Sequence, residues 1–158
     1  DPARGLDHGA WVPLALMYPA HDIPLLQVSL QPALGPQHHR RLGQALATLR
    51  RDDVLVIGSG SFTHNLGRLR RAEPGAAAPP DVVAFADWMH AALQANRTDD
   101  LLAYRSKAPY AVAQHPTDEH LLPLFVALGG AGEAAHATRL HASTTYGALR
   151  MDASAFES

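Results

Sequence analysis

The chain has 158 residues with a hydrophobic content of 47% and a formal net charge of −2, which suits one compact domain with a buried core. This weak charge indicates neither a nucleic-acid partner nor an anionic membrane surface, and the lack of cysteine excludes disulfides and thiolate metal sites. Because no apolar run approaches the roughly 20 residues of a membrane span and no signal peptide is visible, we expect a single cytoplasmic domain over residues 1–158.

The first part of the chain predicts a loop, two strands and one amphipathic helix. Residues 3–14 have the Gly and Pro punctuation of a loop that enters a short helix. Residues 23–30, IPLLQVSL, are a short apolar run that predicts a strand, and residues 53–58, DVLVIG, predict a buried strand by length and composition. Between them, residues 35–51 predict a helix with one apolar face, formed by Leu42, Ala45, Leu46 and Leu49.

The second part of the chain predicts two more helices and a final strand. Residues 67–80 indicate a loop, and the apolar spacing over 81–95 predicts a helix. Residues 115–130 predict a helix that starts near a Thr-Asp-Glu cluster and ends at Gly-Gly, and 143–156 predict a strand with a bulge at Gly147. Strands that alternate with helices indicate an α/β fold.

The sequence VLVIGSGSFTHNL, residues 54–66, runs from the predicted strand into a polar loop that carries Ser59, His64 and Asn65. It does not match a dinucleotide fingerprint, because Thr63 occupies the place of the third glycine, and it contains neither the lysine of a phosphate-binding loop nor the G-x-S-x-G of a hydrolase. In α/β folds, ligands bind at the carboxyl ends of strands, so this loop is a candidate active site. An ordinary tight turn with a surface histidine is the alternative.

Two further histidines stand in suggestive contexts. If Thr117 caps the helix, His120 lies in its first turn, where the helix dipole favours the neutral imidazole that can bind a metal. A partly exposed histidine at a helix start is the alternative, and the neighbouring acids Asp118 and Glu119 are interpreted as solvated. His8 follows an aspartate that either fixes its tautomer or caps a turn.

Four segments together resemble one known family more specifically than any of them does alone. They are GLDHGAWVPLALMYPAHDIPLLQVSL, VLVIGSGSFTHNL, HPTDEHLLPLFVALGG and YGALRMDASAF, in that order. They resemble the 4,5-DOPA-type extradiol dioxygenases of the class III superfamily, whose type is the protocatechuate 4,5-dioxygenase β subunit. The resemblance spans nearly the whole chain, and it implies a central, mostly parallel sheet flanked by helices.

The resemblance also implies a reaction, in which O₂ opens a catechol ring beside its diol at a non-heme Fe(II) centre, with zinc found in some members. His64 corresponds to the active-site acid/base, which is also a candidate metal ligand, and His120 to a protein ligand of the metal. His8 matches the histidine that faces the substrate's oxygens. Ser59 and Asn65, on the same loop as His64, are predicted to contact the substrate.

The chain departs from the family in one respect. Two further metal-binding histidines of the family come from H-G-S-P-like and S-A-H-W-like segments of an N-terminal region, and neither segment is found here. Facial non-heme iron sites need three protein ligands. We therefore expect a C-terminal portion completed by a missing segment or a companion chain. A non-catalytic binding subunit without the metal is the alternative, and a serine hydrolase using Ser59 or Ser61 with His64 is a weaker one.

Overall fold

The structure is a computed structural model that describes residues 3–71 and 73–157. The described residues up to Leu30 form one compact unit, and those from Gln31 onward form a second. A single domain over residues 1–158 stays a prediction.

The first unit consists of one helix, α1 (His8–Met17), followed by an irregular segment. The predicted loop and short helix are therefore confirmed. The strand predicted at 23–30 is not formed, and Leu26 is 91% exposed. An apolar run becomes a strand only when a neighbouring backbone pairs with it, and the described part of this unit offers no such neighbour.

The second unit is mainly helical. Among its described residues are α2 (Gly35–Leu46), α3 (Pro80–Gln94), α4 (Thr98–Leu102), α5 (Tyr104–Lys107), α6 (Ala111–Gln114) and α7 (Leu122–Ala131). The described residues also include three 3-10 segments, one before α2 at Pro32–Leu34 and two between α2 and α3 at Ala47–Asp52 and Leu66–Arg71. The helix predicted at 81–95 is confirmed, and the one predicted at 35–51 continues beyond α2 as 3-10 helix. None of the helices that the structure describes is long and apolar enough to cross a membrane.

Helix α3 supplies much of the core because its apolar residues recur at helical spacing. The buried side chains of α3 are Val82, Phe85, Ala86, Met89, Ala92 and Leu93. Helix α7 is apolar on nearly all sides and is also buried along most of its length. These two helices, with Leu101, Tyr104 and Leu121, form the core around which the loops of the second unit are arranged.

Helices α2 and α7 touch through their backbones at two glycines. A Cβ atom added to Gly43 would lie 2.0 Å from the carbonyl oxygen of Val126, and one added to Gly129 would lie 2.0 Å from that of Arg40. No side chain fits in either place. An ion pair between Arg40 and Glu133 also links α2 to the end of α7. The position of α7 is thus set by direct contact between the two helix backbones.

The described strands form two small antiparallel sheets. Strand β1 (His136–His141) pairs with β4 (Ala153–Glu157), and β2 (Thr144–Thr145) pairs with β3 (Leu149–Arg150). The single strand predicted over 143–156 is therefore divided into three, β2, β3 and β4, with a tight turn between β2 and β3. Gly147 lies in that turn with φ +61, and the bulge falls in β1, between Arg139 and His141.

A central, mostly parallel sheet is not confirmed within 3–71 and 73–157. The strand predicted at 53–58 is not formed, and Leu55 is 68% exposed. Only Val56 among these apolar residues is half-buried, beside Gly130 of α7. The apolar pattern of this segment was recognised correctly, but pattern alone does not supply the second strand that a sheet requires.

Candidate functional site

Two predicted site residues, His64 and His120, meet in the second unit. Their imidazole rings stack with centroids 3.4 Å apart and planes inclined by 13°. His64 lies in the loop that follows residues 53–58, and His120 lies in the turn that leads into α7. Both residues are half-buried. This pair is the nucleus of the candidate site.

The loop that carries His64 is held by its backbone on both sides. The N–H of Ser61 donates to the carbonyl of His120 at 2.8 Å, which ties the loop directly to the turn of the other histidine. The N–H of His64 donates to the carbonyl of Gln114 at 2.9 Å, at the end of α6. Both are hydrogen bonds between backbone atoms, and they hold the loop against the turn of His120 and against the end of α6.

Thr63 ties the same loop to residues 148–150, and the sequence analysis did not identify this role. Its buried hydroxyl donates to the carbonyl of Ala148 and accepts from the N–H of Arg150, each at 2.8 Å. A buried hydroxyl with both functions satisfied orders the segment around it. In the sequence, the only indication of this role is that a polar residue directly follows the aromatic Phe62.

Glycines 58 and 60 explain why the loop has so little side-chain bulk. A Cβ atom on Gly58 would lie 2.3 Å from the carbonyl oxygen of Pro123, and one on Gly60 would lie 2.2 Å from that of His120. The space that a side chain would fill is occupied at Gly60 by the backbone of the turn that carries His120, and at Gly58 by the backbone of the first turn of α7.

Replacing Gly60 by alanine should therefore separate the two histidines. Because the carbonyl of His120 must give way to the added methyl group, we expect the stacked rings to move apart, which removes the upfield shift that each ring gives the other's carbon-bound protons in the proton NMR spectrum. Gly75→Ala is the matched control, because its added methyl group would meet nothing within 4 Å. Equal shifts in the two variants would show that this contact is dispensable.

The sequence-based account of His120 needs a correction. Helix α7 begins at Leu122, so His120 precedes the helix, and the dipole argument for its first turn does not hold. The hydroxyl of Thr117 donates to the carboxylate of Glu119 at 2.8 Å and does not cap α7. The helix started later than predicted because Pro123 marks its true first turn.

Asp118, interpreted as a solvated acid, is instead an anchor of the turn. Its carboxylate accepts from the Tyr104 hydroxyl at 2.8 Å and from the guanidinium of Arg105. Its carbonyl also accepts the N–H of Leu122 at 3.1 Å. Burial, together with the adjacent Asp118 carboxylate, raises the pKa of Tyr104, so the phenol stays a donor.

The environment of His64 favours its neutral form. Burial is the largest cause that lowers the pKa of His64, and the neighbouring His120 lowers it further. The Glu119 carboxylate raises this pKa, but by less. Two imidazoles stacked this closely are disfavoured from both carrying charge. His64 is thus neutral near pH 7, in the form that can accept a proton.

The imidazole of His120 is a suitable metal ligand, but the described residues supply only part of a metal site. Its Nδ1 atom is buried without a hydrogen bond, although a Glu119 carboxylate oxygen lies 3.3 Å away, and imidazole nitrogen suits both iron and zinc. Within 3–71 and 73–157, no three His, Asp or Glu side chains are grouped so that they could hold an ion. A metal here needs further donors from outside these residues.

Asn65 and Ser59 are both on the loop, in different settings. The Asn65 amide donates to the carbonyl of Ala113 at 2.7 Å, and its oxygen accepts the N–H of Gly67 at 3.1 Å, so this side chain shapes the loop. Ser59 is exposed. The hydroxyl of Ser61 donates to the carbonyl of Thr63 at 2.7 Å, which directs its proton away from His64 and argues against a serine nucleophile there.

His8 belongs to the first unit, where it is exposed as the first residue of α1. The preceding Asp7 is the N-cap residue of α1, but its side chain makes no capping hydrogen bond, and its carboxylate is hydrogen-bonded to residues other than His8. Its carboxylate accepts from Gln27 at 2.7 Å and from Arg4 at 3.0 Å, while its N–H donates to the Gln27 side chain at 2.8 Å. Asp7 therefore closes the irregular segment back onto the start of α1.

Comparisons with known proteins agree on one family. Residues 1–153 match the family model described as the catalytic LigB subunit of aromatic ring-opening dioxygenase. The chain is 45% identical over 158 residues to a protein of Beta vulgaris named 4,5-DOPA dioxygenase extradiol, covering 100% of this chain and 58% of that protein. It is 41% identical over 150 residues to the protein of the same name from Portulaca grandiflora, and the match covers 94% of this chain and 55% of that protein.

The fold is also similar to that of a solved structure. The chain matches a crystal structure of an uncharacterized protein from Escherichia coli K12 with a TM-score of 0.81 and 29% identity, covering 96% of this chain and 63% of that one. The chain thus spans a little more than half of the curated relatives and somewhat less than two thirds of the solved one.

Proposed function

Since the chain belongs to the family of LigB-type aromatic ring-opening dioxygenases, we propose that it provides the acid–base part of an extradiol active site for a catechol-type diol. The observation that carries this proposal is the stacked pair of His64 and His120. Two imidazoles from distant parts of the sequence, in contact and half-buried, suit a site that both moves a proton and binds a metal.

His64 is the proposed acid/base. A catechol binds a metal best after losing a hydroxyl proton, and a neutral imidazole beside that hydroxyl can take the proton onto its ring nitrogen. Burial and the adjacent His120 lower the pKa of His64, which keeps its nitrogen unprotonated near pH 7. The same proton can be returned to an oxygen of the opened product, so His64 serves as base and then as acid.

His120 is the proposed metal ligand, with Fe(II) as the ion and zinc as the alternative. When bound, such a metal supplies Lewis-acid chemistry toward the diol, and iron also supplies redox chemistry toward O₂. The buried Nδ1 atom of His120, which lacks a hydrogen bond, supports this assignment. The role of this chain is to hold the His120 ring against His64. The backbone hydrogen bond from the N–H of Ser61 to the carbonyl of His120 serves this role.

Three further roles are proposed on the basis of the family resemblance. His8 would face the substrate's oxygens, and Ser59 and Asn65 would contact the substrate. The remaining metal donors would come from an N-terminal segment or a companion chain, because the chain spans only 58% of the Beta vulgaris relative. A mostly parallel central sheet in the completed protein, and a cytoplasmic location, belong to the same proposal.

The native polypeptide that contains these residues, loaded with Fe(II), tests the proposal. We expect O₂ consumption that requires a catechol, a yellow semialdehyde product, and loss of both when a chelator removes the metal. Iron-loaded protein that consumes no O₂ with any of a panel of catechols would contradict it. Metal content well below one ion per protein would favour the alternative, a binding subunit without the metal. That alternative is suggested by the lack of a three-donor group within the described part of the chain.

A further inference from the structure

His115 is a completely buried histidine that neither the resemblance nor the chemistry above uses. It is 0% exposed, and its Nε2 atom lies 3.0 Å from the carbonyl oxygen of Phe62. Because a carbonyl can only accept, the proton must be on Nε2. The other nitrogen, Nδ1, is buried with no hydrogen-bond partner, which fits a neutral ring with a bare lone pair.

The ring of His115 is held in one orientation by aromatic neighbours. Phe85 lies 5.6 Å away between centroids, and Tyr104 packs edge-on at 6.4 Å. Arg105 also donates to the carbonyl of His115 at 3.1 Å, on the backbone side. A side chain confined in this way has little freedom to follow its partner, so its hydrogen bond constrains the Phe62 carbonyl.

His115 and Gln114 hold the loop of His64 at two nearby points. The His115 ring donates to the carbonyl of Phe62, and the carbonyl of Gln114 accepts the N–H of His64. The two bonds bracket Thr63. A peptide held at both ends from one short segment cannot rotate without breaking a buried bond, and a buried carbonyl left without a donor is costly.

We propose that His115 is a positioning residue, whose Nε2–H bond to Phe62 places the His64 ring against His120. The catalytic consequence rests on the function proposed above. The structural consequence, the stacking of the two rings, stands by itself. His115 acts through the loop and does not need to touch substrate or metal.

Two substitutions of His115 distinguish the effect of losing the hydrogen bond from the effect of losing the ring volume. His115→Phe keeps an aromatic ring but removes the donor, whereas His115→Gln retains an amide donor of similar reach. In the native protein we expect His115→Phe to lower kcat at least about tenfold with a smaller change in KM, and His115→Gln to restore most of it. In a His64→Gln background, His115→Phe should have little further effect on kcat.

A readout without catalysis is the proton NMR spectrum of the two histidines. Stacked rings shift each other's carbon-bound protons upfield, so we expect that shift in the wild type and in His115→Gln and its loss in His115→Phe. An unchanged shift and kcat in His115→Phe would overturn the proposal. Loss of both in His115→Gln would also overturn it, and this variant decides alone if His115→Phe does not fold. Because the shift needs no turnover, a protein without ring-opening activity would refute the proposed function and still test His115.

Discussion

Replacing His64 by glutamine should lower kcat of the native, metal-loaded protein by about a hundredfold to ten-thousandfold, the range that a general acid or base contributes. Glutamine keeps a polar side chain of similar length but cannot take up a proton near pH 7. Metal content should be nearly unchanged if His120 and donors from elsewhere hold the ion. The measurement is steady-state O₂ uptake with a catechol, together with metal analysis of each preparation.

The matched control for this substitution is His136→Gln. His136 is exposed in β1, at the edge of a small sheet, and takes no part in the loop or the turn of the site. We expect wild-type kcat in this variant. Full turnover in His64→Gln would remove His64 from the chemistry, even if the family assignment stands.

Replacing Gly129 by alanine should destabilise the protein by about 3 kcal/mol, the upper part of the usual range for overpacking. The added methyl group would lie 2.0 Å from the carbonyl oxygen of Arg40 and 3.0 Å from the backbone nitrogen of Gln44. Backbone atoms cannot rotate aside, so α2 and α7 must move apart. Chemical denaturation of the native polypeptide measures the change in free energy of unfolding.

The neighbouring residue on α7 provides a close control. A Cβ atom on Gly130 would meet its nearest atoms at 3.6 and 3.7 Å, which is ordinary contact. Because alanine favours a helix more than glycine does, Gly130→Ala should be neutral or stabilise the protein by up to about 1 kcal/mol. Similar unfolding free energies for the two variants would mean that the two helices do not cross as closely as the structure has them.

Two helices of the second unit, α2 and α3, could be predicted because their signals are local, whereas the short helices α4, α5 and α6 were not predicted. The apolar spacing over 81–95 predicted α3, and the buried residues of that helix recur at the same spacing. The strands at 23–30 and 53–58 were not confirmed, because a strand depends on a second backbone that may lie far away in sequence. The glycine contact between α2 and α7 has no local signal at all.

The site was predictable only in part, for a related reason. Local context marked His64 and His120 as separate candidates, and the family resemblance joined them in one site, since no spacing rule joins residues so far apart in sequence. Thr63, His115 and Asp118 were missed, because each acts through hydrogen bonds to distant backbone or side chains. Buried polar residues that hold a site in place look like ordinary core or loop residues in a sequence.

The most direct test of this account is a crystal structure of the native, metal-loaded protein with a catechol bound. The account predicts a ring nitrogen of His120 on the metal, with the His64 ring in van der Waals contact with that of His120 and facing a hydroxyl oxygen of the diol. A diol bound at a metal that His120 does not touch, with the two rings apart, would contradict it.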